Sequence, residues 1–301
     1  MELIREQIET AIGARIREYV ALGADRWALV LADGERLVLQ RFASGDALAT
    51  AETALERLRA EIDLPVPQVQ RANAASADLG GPWALFGGVA GEPLTRKLPQ
   101  LSEEHLYRVG ARLGQVACRV HRLAGGRYGA LAGVDPCAAD DEQRYLMARL
   151  EHDLDRAIAL QVLTDGEAGQ VRNRLLTFVP PGRQAALLIG GLAPEALLVR
   201  QQEGRWMLSG VFGWEHALSW SPAWEHVTFL DAADDPRLFS LRVGYGNGYD
   251  GETQRVYEQV REPVLRPYRV LLALRRAVEC AGRNARDEAQ RRKAVLIGLV
   301  R

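Results

Sequence analysis

The run Gly87-Gly88-Val89-Ala90-Gly91-Glu92-Pro93 separates two stretches of different hydrophobic period, and that change limits the architecture more than any other feature of the chain. On its amino-terminal side an amphipathic helix opens the chain. Apolar runs at 16–22, 27–32 and 37–42 follow, divided by Gly23-Ala24-Asp25-Arg26 and Asp33-Gly34-Glu35-Arg36. Asp-Gly between two short apolar runs marks a hairpin, because glycine accepts the positive φ that the turn demands. Residues 46–61 show helical spacing, Leu64-Pro65-Val66-Pro67 stops that helix, and strand-like runs follow at 67–69 and 83–86. Beyond the break the spacing predicts helices at 102–123, 141–161, 165–178, 251–280 and 284–299, with short strand-like runs between 185 and 212. Thr164 with Glu167 three residues on has capping-box form and places a helix start there. The expected architecture is α+β: a small antiparallel-sheet lobe at 1–87, a bend, and a mainly helical lobe at 88–301.

With 301 residues, 48% of them hydrophobic and 26% charged, the chain can bury a substantial core without staples. A formal charge of −1 provides no long-range attraction to nucleic acid or to an anionic membrane, so neither is expected as a partner. Cys118, Cys137 and Cys280 are widely separated and odd in number, which suits reduced thiols rather than a disulfide framework or a metal knot. The amino terminus lacks the continuous apolar core of a signal peptide, and the late apolar run at 294–300 is too short to cross a bilayer. A soluble cytoplasmic protein is expected.

The segment 187–226, LLIGGLAPEALLVRQQEGRWMLSGVFGWEHALSWSPAWEH, carries several short words in a fixed order and spacing. It resembles the aminoglycoside phosphotransferase family, a small-molecule branch of the protein-kinase-like fold. That family has His-Gly-Asp where this chain has Ile189-Gly190-Gly191, Asn where it has Ala196, and Asp-Trp-Glu where it has Gly213-Trp214-Glu215. The likeness extends over nearly the whole chain, through the small sheet, the helix carrying Glu52, the Leu-Pro-Val-Pro segment, the hinge at 91–94 and a helix ending near His121. It implies a two-lobed protein-kinase-like fold.

Phosphoryl transfer from ATP asks a protein mainly for positioning and charge neutralisation, so each polar part can be checked separately. In the family, the Asp expected at 191 accepts the proton of the acceptor hydroxyl. Loss of such a base costs about 10²- to 10⁴-fold in rate. The Asn expected at 196 and the Asp expected at 213 hold magnesium, a hard cation that takes oxygen ligands, and Ala196 and Gly213 offer no side-chain oxygen. The family's sheet lysine aligns with Gln40, and the chain's two lysines, Lys97 and Lys293, lie outside the small lobe. Arg41 is adjacent to Gln40, but neighbouring strand side chains point to opposite faces. Glu52 matches the family's helix glutamate without its usual partner. The loop at 22–27 has one glycine, Gly23, where a phosphate cradle needs several, and Asp25 adds negative charge.

The resemblance, with base, metal ligands and lysine all replaced, implies a catalytically inactive, pseudokinase-like member. It would act as a binding or regulatory module toward a protein partner or a small metabolite, with ATP and magnesium binding lost. No catalytic or metal residue is assigned; Glu52, Arg41 and Glu215 are the remaining nucleotide-binding candidates. Two alternatives stay open: a small-molecule phosphotransferase working through displaced groups such as Glu195, Glu215 and Arg41, and a nucleotide sensor that binds without metal. The echo Trp214-Glu215-His216 and Trp224-Glu225-His226 offers carboxylates and imidazoles at a spacing that fits no compact metal motif. Trp206, Trp214, Trp220 and Trp224 cluster beside the former cleft, and Trp220 stands where the family prefers glycine.

Overall fold

Strands form where short apolar runs meet turn residues. In the computed structural model, which describes residues 2–59, 63–75, 79–178, 180, 184–250 and 254–301, helix α1 (Glu2–Ile12) precedes strands β1 (Ile16–Ala21), β2 (Arg26–Leu31) and β3 (Arg36–Arg41). Helix α2 (Gly45–Arg57) and strands β4 (Gln68–Asn73) and β5 (Trp83–Gly87) complete the small lobe. The strands make one antiparallel sheet in the order β1-β2-β3-β5-β4. The Asp33-Gly34 turn joins β2 to β3, with Gly34 at φ 92° and Asp33 Oδ1 accepting the Glu35 N–H at 2.9 Å.

Both faces of this sheet are covered. Ile8 and Ile12 of α1 pack with Leu29, Leu37, Leu39 and Leu85 on one side. Val38, Phe42 and Phe86 on the other join Leu48, Ala51 and Leu55 of α2. Burial on both faces is why β3 and β5 read as continuous apolar runs rather than as alternation. Ser44 starts α2, its hydroxyl accepting the Ala47 N–H at 3.2 Å.

The larger lobe begins with β6 (Glu92–Pro93), α3 (Leu94–Lys97) and α4 (Glu103–His121), then β7 (Gly129–Ala130), α5 (Glu142–Ala159), α6 (Asp165–Leu176), β8 (Ala186–Leu188), β9 (Leu197–Gln202), β10 (Arg205–Val211) and β11 (Leu218–Trp220). Helices α7 (Pro222–Ala232), α8 (Phe239–Asp250), α9 (Gln254–Gly282) and α10 (Arg286–Val300) close the chain. Two small sheets, β10-β9-β6 and β7-β11-β8, carry the loops that face the small lobe. The capping box at Thr164 and Glu167 forms as the sequence predicts, with Glu167 Oε2 accepting the Thr164 N–H at 2.8 Å. One core cluster runs from Val38 and Phe86 through Val109, Leu113 and Val116 of α4 to Leu197 and Phe212, so the lobes share apolar packing across their boundary.

Three helices, the four-residue α3 and the longer α7 and α8, are not among those the sequence predicts. Helix α8 contains Gly244, Gly246 and Gly248, and each glycine costs a helix interior about 1 kcal/mol relative to alanine. Tertiary contact overrides that preference. Gly110 and Gly114 of α4 face α8 so closely that a β-carbon on Gly114 would lie 2.5 Å from the backbone nitrogen of Tyr249, and one on Gly248 would lie 2.6 Å from Ala111 Cα. The glycines let two helix backbones touch. Residues 60–61 of the helix expected at 46–61, and 251–253 of that expected at 251–280, lie outside the described residues. Among the described residues no helix is long and apolar enough to cross a membrane. The three cysteines are free thiols.

Candidate functional site

Two loops converge under the small sheet: residues 189–196 after β8, and residues 212–217 after β10. A chain of buried polar groups holds the first. The Gly190 N–H donates to Glu225 Oε2 at 2.8 Å, the other carboxylate oxygen of Glu225 meets His121 Nε2 at 3.0 Å, and His121 Nδ1 meets the Tyr249 hydroxyl at 2.8 Å. Glu225 on α7 is fully buried, so its oxygens are satisfied by these partners rather than by water. The second loop is pinned to the first, with the Phe212 N–H donating to the Ala196 carbonyl at 2.8 Å. Trp214 is buried and its indole N–H reaches the Val211 carbonyl at 2.7 Å.

The centre of the site is a contact between two glycines. Gly191 and Gly213 lie backbone to backbone. A β-carbon built on Gly191 would sit 2.5 Å from the Gly213 carbonyl oxygen and 2.8 Å from His216 Cδ2; one built on Gly213 would overlap the Gly191 carbonyl oxygen and sit 2.8 Å from its carbon. Gly213 also has φ 96°, a conformation that side chains disfavour. The loops therefore occupy the volume into which a side chain at either position would project.

On the sheet side, the cation nearest Gln40 in register is Arg26. Gln40 is buried on β3 and pairs directly with Arg26 on β2. Directly opposed residues share a face of the sheet. Arg26 thus enters the cleft beside Gln40, its guanidinium carbon 4.2 Å from the centre of the Phe212 ring, within cation–π range. Burial lowers its pKa from the ordinary guanidinium value, and the nearby charge of Glu215 opposes that shift. Its Nε atom is buried without a hydrogen-bond partner. Arg41 lies on the other face, where its side chain pairs with the Asp25 carboxylate and donates to the Leu79 carbonyl at 3.2 Å. Sequence reasoning weighed Arg41 and missed Arg26. The signal was available, because two residues opposed across a hairpin can be counted outward from the Asp33-Gly34 turn.

Other candidates are dispersed. Glu52 is exposed on α2, while Thr50 of the same helix is buried and lines the loop region. Glu195 is exposed in a single 3-10 turn (Pro194–Ala196) and Glu215 is half-buried in another (Trp214–His216). Lys97 pairs with Glu92 at 2.7 Å and Lys293 with Glu167 at 2.8 Å, both away from the cleft. The two Glu-His pairs do not come together as one ligand set: Glu225 holds Gly190 and His121, and His226 Nδ1 meets the Tyr245 hydroxyl at 2.8 Å. Among the described residues no three His, Cys, Asp or Glu side chains converge to hold a metal. Trp220 stacks on Trp224, with ring centroids 4.8 Å apart, in the core beneath the loops.

Positions 196 and 213 bring no side-chain oxygen, the volume beside Gly191 and Gly213 is taken by backbone, and the cation in the cleft lies against an aromatic ring.

A model of the phosphotransferase enzyme family (APH) matches residues 19–263. A search of curated proteins found no match. Among solved structures, the aminoglycoside phosphotransferase APH(4)-Ia is similar over 99% of both chains, at 14% identity and a TM-score of 0.71. A thermostable mutant of it in ternary complex with ADP and hygromycin B matches at 15% identity over 98% of both chains, also with TM-score 0.71. An aminoglycoside phosphotransferase-like structure from Ralstonia eutropha JMP134 matches at 14% identity and TM-score 0.65, over 98% of this chain and 97% of that one. At such identities the likeness establishes the two-lobed fold. Because the family model spans most of the chain, from β1 through the loops at 189–217 and into α9, this protein belongs to the phosphotransferase enzyme family.

Proposed function

We propose that this chain is a non-catalytic member of its family, a binding or regulatory module built on a phosphotransferase fold. The observation that carries this reading is the backbone contact between Gly191 and Gly213, which fills the place where family members carry a base and a metal ligand. Arg26 supports it, because a cation packed on Phe212 stands in the nucleotide cleft itself. Removing one part of a catalytic unit already abolishes most of its acceleration, and here several parts are replaced together. Calorimetry of the purified protein with ATP should show no magnesium-dependent binding. Sub-millimolar affinity abolished by a chelator would overturn the reading.

A second reading, a nucleotide sensor that works without metal, has one observation in its favour. The unpartnered Arg26 Nε could pair with a phosphate once the guanidinium turns away from Phe212. A thermal shift with ADP in chelator, absent in Arg26→Ala, would select this reading over the first.

A further inference from the structure

Between the loops and the larger lobe, a cavity of about 550 Å³ opens among Thr50 of α2, residues 190–193, the turn at 215–218 and helices α5, α7 and α9. That size suits a small organic ligand. Four arginines line it, Arg149, Arg275, Arg276 and Arg283, against three acids, Asp135, Glu215 and Glu279. The acids are largely committed. Asp135 accepts the Ala130 and Cys137 N–H groups at 3.0 and 2.9 Å and the Tyr145 hydroxyl at 3.3 Å, and Glu279 accepts Arg275 Nε at 3.0 Å. Glu215 faces the charge of Arg26.

The arginines keep donors in reserve. Arg276 pairs with Asp231 at 2.8 Å, yet its Nε is buried with no partner. Among the described residues Arg149 and Arg283 form no ion pair with a carboxylate. Asp153 and Asp135 both lie close enough to Arg149 to feel its charge, and burial holds the Asp153 carboxyl above its usual range. The wall is aromatic: Trp220 and Trp224 stack at 4.8 Å, and the Trp220 indole N–H is buried without an acceptor. Buried donors without acceptors, beside guanidinium groups and the small exposed part of a stacked indole pair (1% of Trp220, 3% of Trp224), match an anion joined to a planar body.

We propose that this cavity binds a small organic anion, an aryl carboxylate or aryl phosphate, with its charge on Arg149, Arg276 and Arg283 and its ring against Trp220 and Trp224. Hygromycin B and kanamycin, held by solved relatives, are the contrasting probes, being polyamines. The inference rests on the binding-module reading, whose small metabolite it assigns to a chemical class.

The test is a tryptophan-fluorescence titration in chelator and without nucleotide, using phenyl phosphate, benzoate, inorganic phosphate and kanamycin. Phenyl phosphate or benzoate should bind at least tenfold more tightly than kanamycin, and whichever binds better identifies the anion type. Inorganic phosphate should bind more weakly than phenyl phosphate because it lacks the ring. Arg149→Gln should weaken phenyl phosphate by about tenfold, the worth of a charged hydrogen bond. Should Arg149→Gln fail to fold, the exposed Arg283→Gln should lower the affinity about threefold or more and flatten its salt dependence. Tighter binding of kanamycin, no saturable binding of either aryl anion, or affinities unmoved by the substitutions would overturn the proposal. ATP turnover with phenyl phosphate or benzoate present would instead refute the non-catalytic reading while leaving the anion preference standing.

Discussion

Placing the family's residues back in this chain is the sharpest test of the non-catalytic reading. If only side chains are missing, then Gly191→Asp, Ala196→Asn, Gly213→Asp and Gln40→Lys together should return metal-dependent nucleotide affinity. The structure predicts otherwise. At Gly213 a side chain meets both a backbone overlap and a φ of 96°. Overpacking costs about 1–3 kcal/mol and a disfavoured backbone conformation about 1–3 more. Gly213→Asp should therefore lose about 2–6 kcal/mol, a large part of the roughly 5–15 kcal/mol that holds a typical domain folded. Gly191→Asp meets the same contact from the other side, without the backbone term, and should lose about 1–3 kcal/mol. Gln40→Lys puts an ammonium beside Arg26 in a buried position, so like charges add to the loss. Urea denaturation of each single variant and of the combined one, followed by calorimetry with ATP with and without magnesium, checks the chain of reasoning. A combined variant within about 1 kcal/mol of the parent, binding ATP only with magnesium, would show that the loops part readily and that the glycine contact is not what closes the site.

Three further outcomes follow from the packing. Gly248→Ala should destabilise by about 2 kcal/mol or more, because its β-carbon would meet the α4 backbone, whereas Gly246→Ala in the same helix has open space and should stabilise by about 0.5–1 kcal/mol; paired thermal melts decide. Glu225→Ala removes the acceptor of the Gly190 N–H and the partner of His121 in a buried place, so it should cost about 2–4 kcal/mol, read as a lower urea midpoint. Glu167 is held below its usual carboxyl range, chiefly by its hydrogen bond from Lys293 and then by the Thr164 N–H. A depressed folded pKa contributes stability above the unfolded value and loses it as pH falls through the folded one. Lys293→Met should accordingly be less stable than the parent near neutral pH, with the gap narrowing on acidification below the ordinary glutamate pKa, as urea midpoints across that range would show.

Local rules were enough for much of the scaffold. The hairpin at Asp33-Gly34, the capping box at Thr164, the doubly covered β3 and β5 and most long helices follow from spacing and turn chemistry, because periodicity records burial directly. The replacements at Gln40, Gly191, Ala196 and Gly213 are equally plain in the chain, since they are covalent facts. Helix α8 is different: three glycines argue against it locally, and only the approach of α4 makes the small size of Gly244 and Gly248 useful.

The condition of the site belongs to tertiary structure. No local pattern states that Gly191 and Gly213 touch, that Arg26 lies over Phe212, or that Glu225 reaches His121 across 104 residues of chain. Nor does it state that arginines of α5 and α9 gather round one cavity. Each of these depends on segments far apart in sequence competing for the same small volume. Residue identity thus decided which side chains stand at positions 40, 191, 196 and 213, and long-range packing decided what surrounds them.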